Sequence, residues 1–204
     1  METKIDISST MVEKGIDLVK GFVEKIVGST LEETGLLLGD KVRVYRLKNQ
    51  IKMLGMTQQI CNDNNISIKQ ISLKTLVPLL EYASLEDEES IQTKWAKLLS
   101  NYVDSRKNLE SSIFPFILSQ LSTKELEILD TMYNSPLIGS RFDRLQIDGV
   151  IKSNLIRLGL AEIIIPPPKN ENSLSLRIQR GFGINYKIKL TPLGNEFYKC
   201  CSTD

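Results

Sequence analysis

Histidine is absent from the 204-residue chain, which removes the side chain most used as a general base near neutral pH and the commonest metal ligand. Ser-His-Asp triads and His-bearing zinc sites are excluded, and no metal or cofactor is expected. Cysteine is scarce. Cys61, Cys200 and Cys201 form an odd set with an adjacent pair, which is no disulfide framework for a secreted fold, so a reducing cytoplasm is the expected compartment. Long hydrophobic runs are missing too. The longest, such as Leu36 to Leu38 and Ile163 to Ile165, fall far short of the roughly 20 residues a membrane-spanning helix needs, and no transmembrane segment is expected. Met1 to Thr10 carries Glu2, Lys4 and Asp6, without the apolar core of a signal peptide. An excess of one charge is also lacking: 26 basic and 25 acidic residues leave a net charge of +1. Any electrostatic partner must therefore be read from local clusters.

What remains is 41% hydrophobic and 25% charged, the balance of a soluble globular chain long enough for one large domain or two small ones. Thr10 with Glu13 and Thr30 with Glu33 have the spacing of capping boxes. After the first, Ile16, Val19, Val23 and Ile26 recur at helical steps. Acids and bases alternate on the outer face of this helix. That mixture argues against an interfacial membrane helix, whose polar face is rich in Lys and Arg, despite the small residues Gly15, Gly21 and Gly28. The second segment, about Leu31 to Ile60, shows two apolar stripes, one through Leu38, Val42, Tyr45 and Ile60 and one through Val44, Leu47, Ile51 and Leu54. It is expected to pack on two sides.

Between those stripes stand Lys41, Arg43, Arg46, Lys48 and Lys52, five basic residues without an acid among them. They form a candidate anion or partner site. The alternative is internal: Glu81, Glu86, Asp87, Glu88 and Glu89 make an acidic stretch without a base that offsets the basic one. Ser84 is expected to open another helix, with Ile91, Trp95, Leu98, Leu99 and Tyr102 on its buried face.

The second half reads differently. Ser122 and Glu125 form a capping box ahead of Leu126, Leu129 and Tyr133. Asp148 to Leu158 reads as a short helix stopped by Gly159. Leu160 to Ile165 and Ile184 to Leu190 read as two strands able to pair, and Thr191 with Pro192 opens a last helix carrying Leu193 and Phe197. This order, with "NLIRLGLAEI" and "LTPLGNEFYK", resembles a winged helix. The expected fold is therefore mainly α, with a helical N-terminal domain over 1–110 and a winged-helix-like domain over 113–201. In winged helices that bind DNA, the helix before the first wing strand enters the major groove. The resemblance assigns Lys152, Ser153 and Arg157 to that helix, and Lys169, Arg177, Arg180 and Lys187 to the wing. From Arg141 to Lys189 nine basic residues stand against four acidic ones, a net of +5. Nucleic acid is one partner this admits. A protein partner or a second copy is the other, because winged helices also serve in docking and dimerisation, and Leu174, Leu176 and Ile178 alternate with polar residues as a pairing strand would.

The chain from about Val12 to Cys200 resembles the bacterial abortive-infection alpha family in "LEETGLLLGDKVRVYRLKNQ", "LLEYASLEDEESIQTKWAKLLSN" and "LTPLGNEFYK". The resemblance implies a cytoplasmic bacterial protein of phage defence, in which infection is met by growth arrest or death, and carries no catalytic residues over. An enzyme is not expected. No phosphate-binding Gly-rich loop is present, since "RGFGIN" lies in the wing. The acids Glu86 to Glu89, which could serve a histidine-free metal nuclease, are explained by a helix start. Cys200 and Cys201 are a reactive pair or, more simply, a partly buried helix end. The expected role is a non-enzymatic binding module, with a membrane-perturbing effector as the more distant alternative.

Overall fold

The computed structural model describes residues 9–28, 41–134, 148–165 and 187–202, with the side chains of 9–13, 27, 41–44 and 187 outside the description. Among the described residues there are eight helices and one two-stranded antiparallel sheet. They fall into two compact units, Met1–Leu121 with Cys200–Asp204, and Ser122–Lys199.

The first unit holds α1 (Ser9–Val27), α2 (Lys41–Asp63), α3 (Leu73–Ala83), α4 (Glu89–Val103) and α5 (Ile113–Ser119). Helix α5 clusters with this unit rather than with the second. The last two residues of the final helix, Cys200 and Cys201, do so as well. Helix α2 packs against α4 and α1, and α3 against α5. In α1 the expected face is buried at Val19, Val23 and Ile26, joined by Phe22, while Ile16 is half-buried. The helix starts at Ser9, so Thr10 lies inside it and not at its cap. The Thr30 and Glu33 cap lies outside the described residues. Helix α4 carries the densest core. Ile91, Trp95, Leu98, Leu99 and Tyr102 are all buried, with Trp95 only 1% exposed, and each large apolar side chain contributes about 1.5–3 kcal/mol on burial.

Two local expectations are corrected. Ser84 does not open α4: it is the C-cap of α3, and Glu88 is the N-cap of α4. A buried hydroxyl needs a partner, and the Ser84 Oγ donates to the Glu81 carbonyl at 2.5 Å, three residues back, as suits the end of α3. In α2 the buried line runs through Asn49, Met53, Thr57 and Cys61; of the expected stripes Leu54 is buried, Leu47, Ile51 and Ile60 are half-buried, and Tyr45 is exposed. Half of that line is polar and still buries, because Asn49 Nδ2 donates to the Ser84 carbonyl at 3.0 Å and Thr57 Oγ1 donates to the Met53 carbonyl at 2.9 Å.

The second unit contains α6 (Thr123–Asn134), α7 (Gly149–Arg157), β1 (Ala161–Ile164), β2 (Lys187–Leu190) and the greater part of α8 (Pro192–Cys201). Strand β1 pairs with β2 in the register Ala161 with Leu190 through Ile164 with Lys187. The base of this hairpin is tied to the start of α8. Thr191 N–H donates to the Leu160 carbonyl at 3.0 Å, and its hydroxyl donates to the Gly159 carbonyl while accepting the Gly194 N–H at 2.9 Å. The hydroxyl bond to Gly194 is the N-cap expected of Thr191. Tyr133 on α6 and Tyr198 on α8 stack with ring centroids 4.1 Å apart.

Candidate functional site

Helix α7 is fixed at both ends. At its start Asp148 Oδ1 accepts the Val150 N–H at 2.8 Å, satisfying a donor the helix leaves open. At its end Gly159 takes φ +72°, and the Leu160 N–H reaches the Leu155 carbonyl at 2.9 Å, the closing bond of a Schellman turn. Leu155 and Leu158 are buried. That leaves Gly149, Val150, Ser153 and Arg157 exposed. Lys152, expected beside them, is half-buried instead.

Ser153 and Arg157 line one open concavity of about 480 Å³, together with Gly149, Val150, Asn154 and Glu125. The polar side chains that line it are connected. Glu125, on the first turn of α6, accepts from Ser122 N–H and Oγ–H through Oε2 at 2.7 Å each, the expected capping box. Through Oε1 it accepts the Asn154 Nδ2–H at 2.6 Å. Asn154 Oδ1 in turn accepts Arg157 Nε–H at 3.1 Å and Nη2–H at 2.7 Å. A guanidinium held in this way keeps a fixed orientation at the surface. The sequence marked Ser153 and Arg157 but not Asn154 or the second role of Glu125. The three-residue spacing of Asn154 and Arg157 on a helix was the available signal.

The other candidates are placed less completely. Lys187 stands in β2 opposite Ile164, with its side chain outside the description; Lys169, Arg177 and Arg180 lie outside the described residues. On α2, Lys48 and Lys52 are exposed, while Lys41 and Arg43 are in the helix with side chains outside the description. Arg46 meets the acidic stretch, but not through a carboxylate. Its Nε donates to Ser84 Oγ at 2.8 Å and its Nη2 to the Glu81 carbonyl at 3.4 Å. The acids themselves turn toward the start of α4: Glu86 Oε1 accepts the Glu88 N–H at 3.0 Å, and Glu88 Oε1 accepts the Ser90 hydroxyl at 2.8 Å.

Among the described residues, no three His, Cys, Asp or Glu side chains group closely enough to hold a metal ion, and no helix is long and apolar enough to cross a membrane. Cys200 and Cys201 are 1% and 2% exposed, a fully buried pair and not a partly buried end. Burial pushes the Cys201 thiol far up and the Cys61 thiol to about 11, which keeps both in the unreactive protonated form.

No curated protein and no solved structure matches the chain significantly. The family model described as abortive infection alpha matches residues 43–149, from the first turn of α2 to the first residue of α7 and just over half of the chain. The chain accordingly belongs to the abortive infection alpha family, with the defence-related role that membership carries.

Proposed function

We propose that this protein is a non-enzymatic component of bacterial anti-phage defence whose second unit, read as a winged helix, binds nucleic acid through α7. The observation that carries the reading is the exposed guanidinium of Arg157, held by Asn154 beside the exposed Ser153 in one concavity. Arginine and serine together suit phosphate contact, which positions a protein on nucleic acid without reading its sequence. The basic residues Lys169, Arg177, Arg180 and Lys187, which follow α7 in sequence, add charge of the required sign. The match to the family model ends at the first residue of α7, so the nucleic-acid reading rests on this chain's own residues.

A second reading is supported by exposed apolar side chains of the same unit. Val150 is 76% exposed, and Ile163, Ile164 and Ile165 are exposed along and just after β1, which suits a protein partner or a second copy. Fluorescence anisotropy of mixed-sequence duplex and single-stranded oligonucleotides decides between the two. Nucleic-acid binding predicts affinity that falls linearly with salt on logarithmic axes and weakens in Arg157→Ala. No binding to any oligonucleotide at low salt would sink it. Loss of defence in Val150→Glu with nucleic-acid binding intact would favour the protein partner.

A further inference from the structure

Glu125 uses its two oxygens for two different purposes. Oε2 closes the capping box of α6, and Oε1 takes the amide N–H of Asn154, which lies 29 residues further along the chain. The side chain is 6% exposed, so water is a poor substitute for either partner. With Nδ2 anchored on a carboxylate, the Asn154 amide has only one acceptable orientation, because the reversed amide would set oxygen against oxygen. Oδ1 therefore faces Arg157, where it accepts from Nε and Nη2 together. That occupies the side edge of the guanidinium. Of the donors left over, one on Nη1 and one on Nη2 form the end-on fork.

We infer that Asn154 and Glu125 are positioning residues for Arg157, setting its end-on fork toward a paired-acceptor edge of a nucleic acid; the inference rests on the nucleic-acid reading of α7. Two sources supply such an edge, the oxygens of a phosphate and the O6 and N7 atoms of guanine. A free arginine side chain must give up rotamer freedom to bind in one geometry. One already held by Asn154 has lost much of it before the ligand arrives. Glutamate is required at position 125 for this purpose, although glutamine serves equally in a capping box. A carboxamide in the same place turns its oxygen to only one of Ser122 and Asn154 and sets its NH2 against the other.

The test uses the full chain with Glu125→Gln, Asn154→Ala, Arg157→Ala and the double variants, and reads two quantities. The first is the Arg157 Nε–H resonance in the free protein by nitrogen-edited NMR. It is expected to be resolved and protected in the wild type and to move to fast exchange in both Glu125→Gln and Asn154→Ala. The second is affinity for a short duplex at low salt, expected to fall about tenfold in each single variant. Glu125→Gln should add nothing further when Asn154 or Arg157 is already alanine. A purely structural role for Glu125 would instead lower stability and affinity by the same factor in every background. An unchanged Nε–H resonance in Asn154→Ala, which leaves the capping box untouched, overturns the positioning role whatever the binding shows. A wild type with the expected resonance that binds no duplex retains the positioning and overturns the nucleic-acid reading. Duplexes with and without G·C pairs separate the sources: equal losses assign the acceptors to phosphate, and losses confined to G·C duplexes assign them to guanine.

Discussion

Asn101 on α4 donates its Nδ2–H to the carbonyl oxygen of Cys200 at 2.8 Å, across 99 positions of sequence, while its Oδ1 accepts from Lys107 Nζ. The far C-terminus is thereby part of the first unit. Asn101→Ala removes this bond to a buried residue and is expected to cost about 1–3 kcal/mol, read from denaturant unfolding followed by the fluorescence of Trp95. A fragment ending at residue 110 lacks Ile117, Leu118 and the Cys200–Cys201 pair, all buried. It should be less stable than the first unit of the full chain. An unchanged midpoint in Asn101→Ala would contradict the contact.

Arg46 is bound by a hydroxyl and a main-chain carbonyl, so its loss should not be rescued by charge reversal among the acids. Arg46→Ala is expected to cost about 1 kcal/mol. Combining Arg46→Glu with Glu81→Lys should leave that deficit in place, since a side-chain change does not alter the Glu81 carbonyl. Full recovery in the double variant would restore ordinary ion pairing.

Asp104, 1% exposed, accepts from the Arg106 Nε and backbone N–H on Oδ1 and from Nη2 on Oδ2. These bonds hold its carboxyl below the usual carboxylate range, and hydrogen bonds from Ser72 do the same for Glu110. In the unfolded chain both take up protons first on acidification. Their stabilisation is therefore complete above the ordinary carboxylate pKa and is lost as pH falls through the lower folded values. Urea midpoints measured across the acid range should fall less steeply in Asp104→Asn than in the wild type. Parallel acid limbs would argue against it.

The thiols give the opposite sign. Burial raises Cys61 to about 11 and Cys201 further, so the unfolded thiols ionise first as pH rises. The contribution of these groups is complete below the ordinary thiol range and declines above it. At neutral pH the native protein should not react with a chromogenic thiol reagent, and the unfolded chain should show three thiols. Rapid modification of the native protein would contradict this burial.

Gly194, in the first turn of α8, meets the backbone of Leu160. A Cβ there would stand 2.1 Å from the Leu160 carbonyl oxygen, and main chain cannot yield as a side-chain tip can. Gly194→Ala is expected to cost about 1–3 kcal/mol or to displace the helix start, as thermal unfolding followed by circular dichroism would show. Wild-type stability would mean that α8 approaches the hairpin less closely.

Regular apolar spacing made α1, α4, α6 and α7 legible in the sequence, and cap chemistry located the starts of α6 and α8 through Ser122 and Thr191. Helices α3 and α5 escaped for local reasons. Pro78 sits inside α3, where a proline usually breaks a helix. Helix α5 is seven residues long with Pro115 within it, too short and too uniformly apolar to show a period. On α2 the stripe through Leu47, Ile51 and Leu54 is half-buried to buried, but the line through Asn49 and Thr57 is not legible, because Asn49 is satisfied by the distant Ser84 carbonyl and Thr57 by its own helix, which hydrophobicity alone does not register. Ser84 has the residue type of an N-cap, yet only the conformation of its neighbours decides which helix it ends. At the candidate site, Ser153 and Arg157 were visible as exposed polar residues at a helical step of four. The bond from Asn154 to Glu125 was not, because it depends on how α7 is laid against α6.

The Thr191 knot also bears on how this chain can change over generations. Its bonds to Gly159, Leu160 and Gly194 secure the foot of the hairpin, and the pairing of Ala161 with Leu190 begins immediately above it. Insertions or replacements in the stretch joining Ile164 to Lys187 therefore leave the anchorage intact. The two strands are thus moored from below, by bonds that end on main-chain atoms of Gly159, Leu160 and Gly194 and so do not depend on which side chains β1 and β2 present above them.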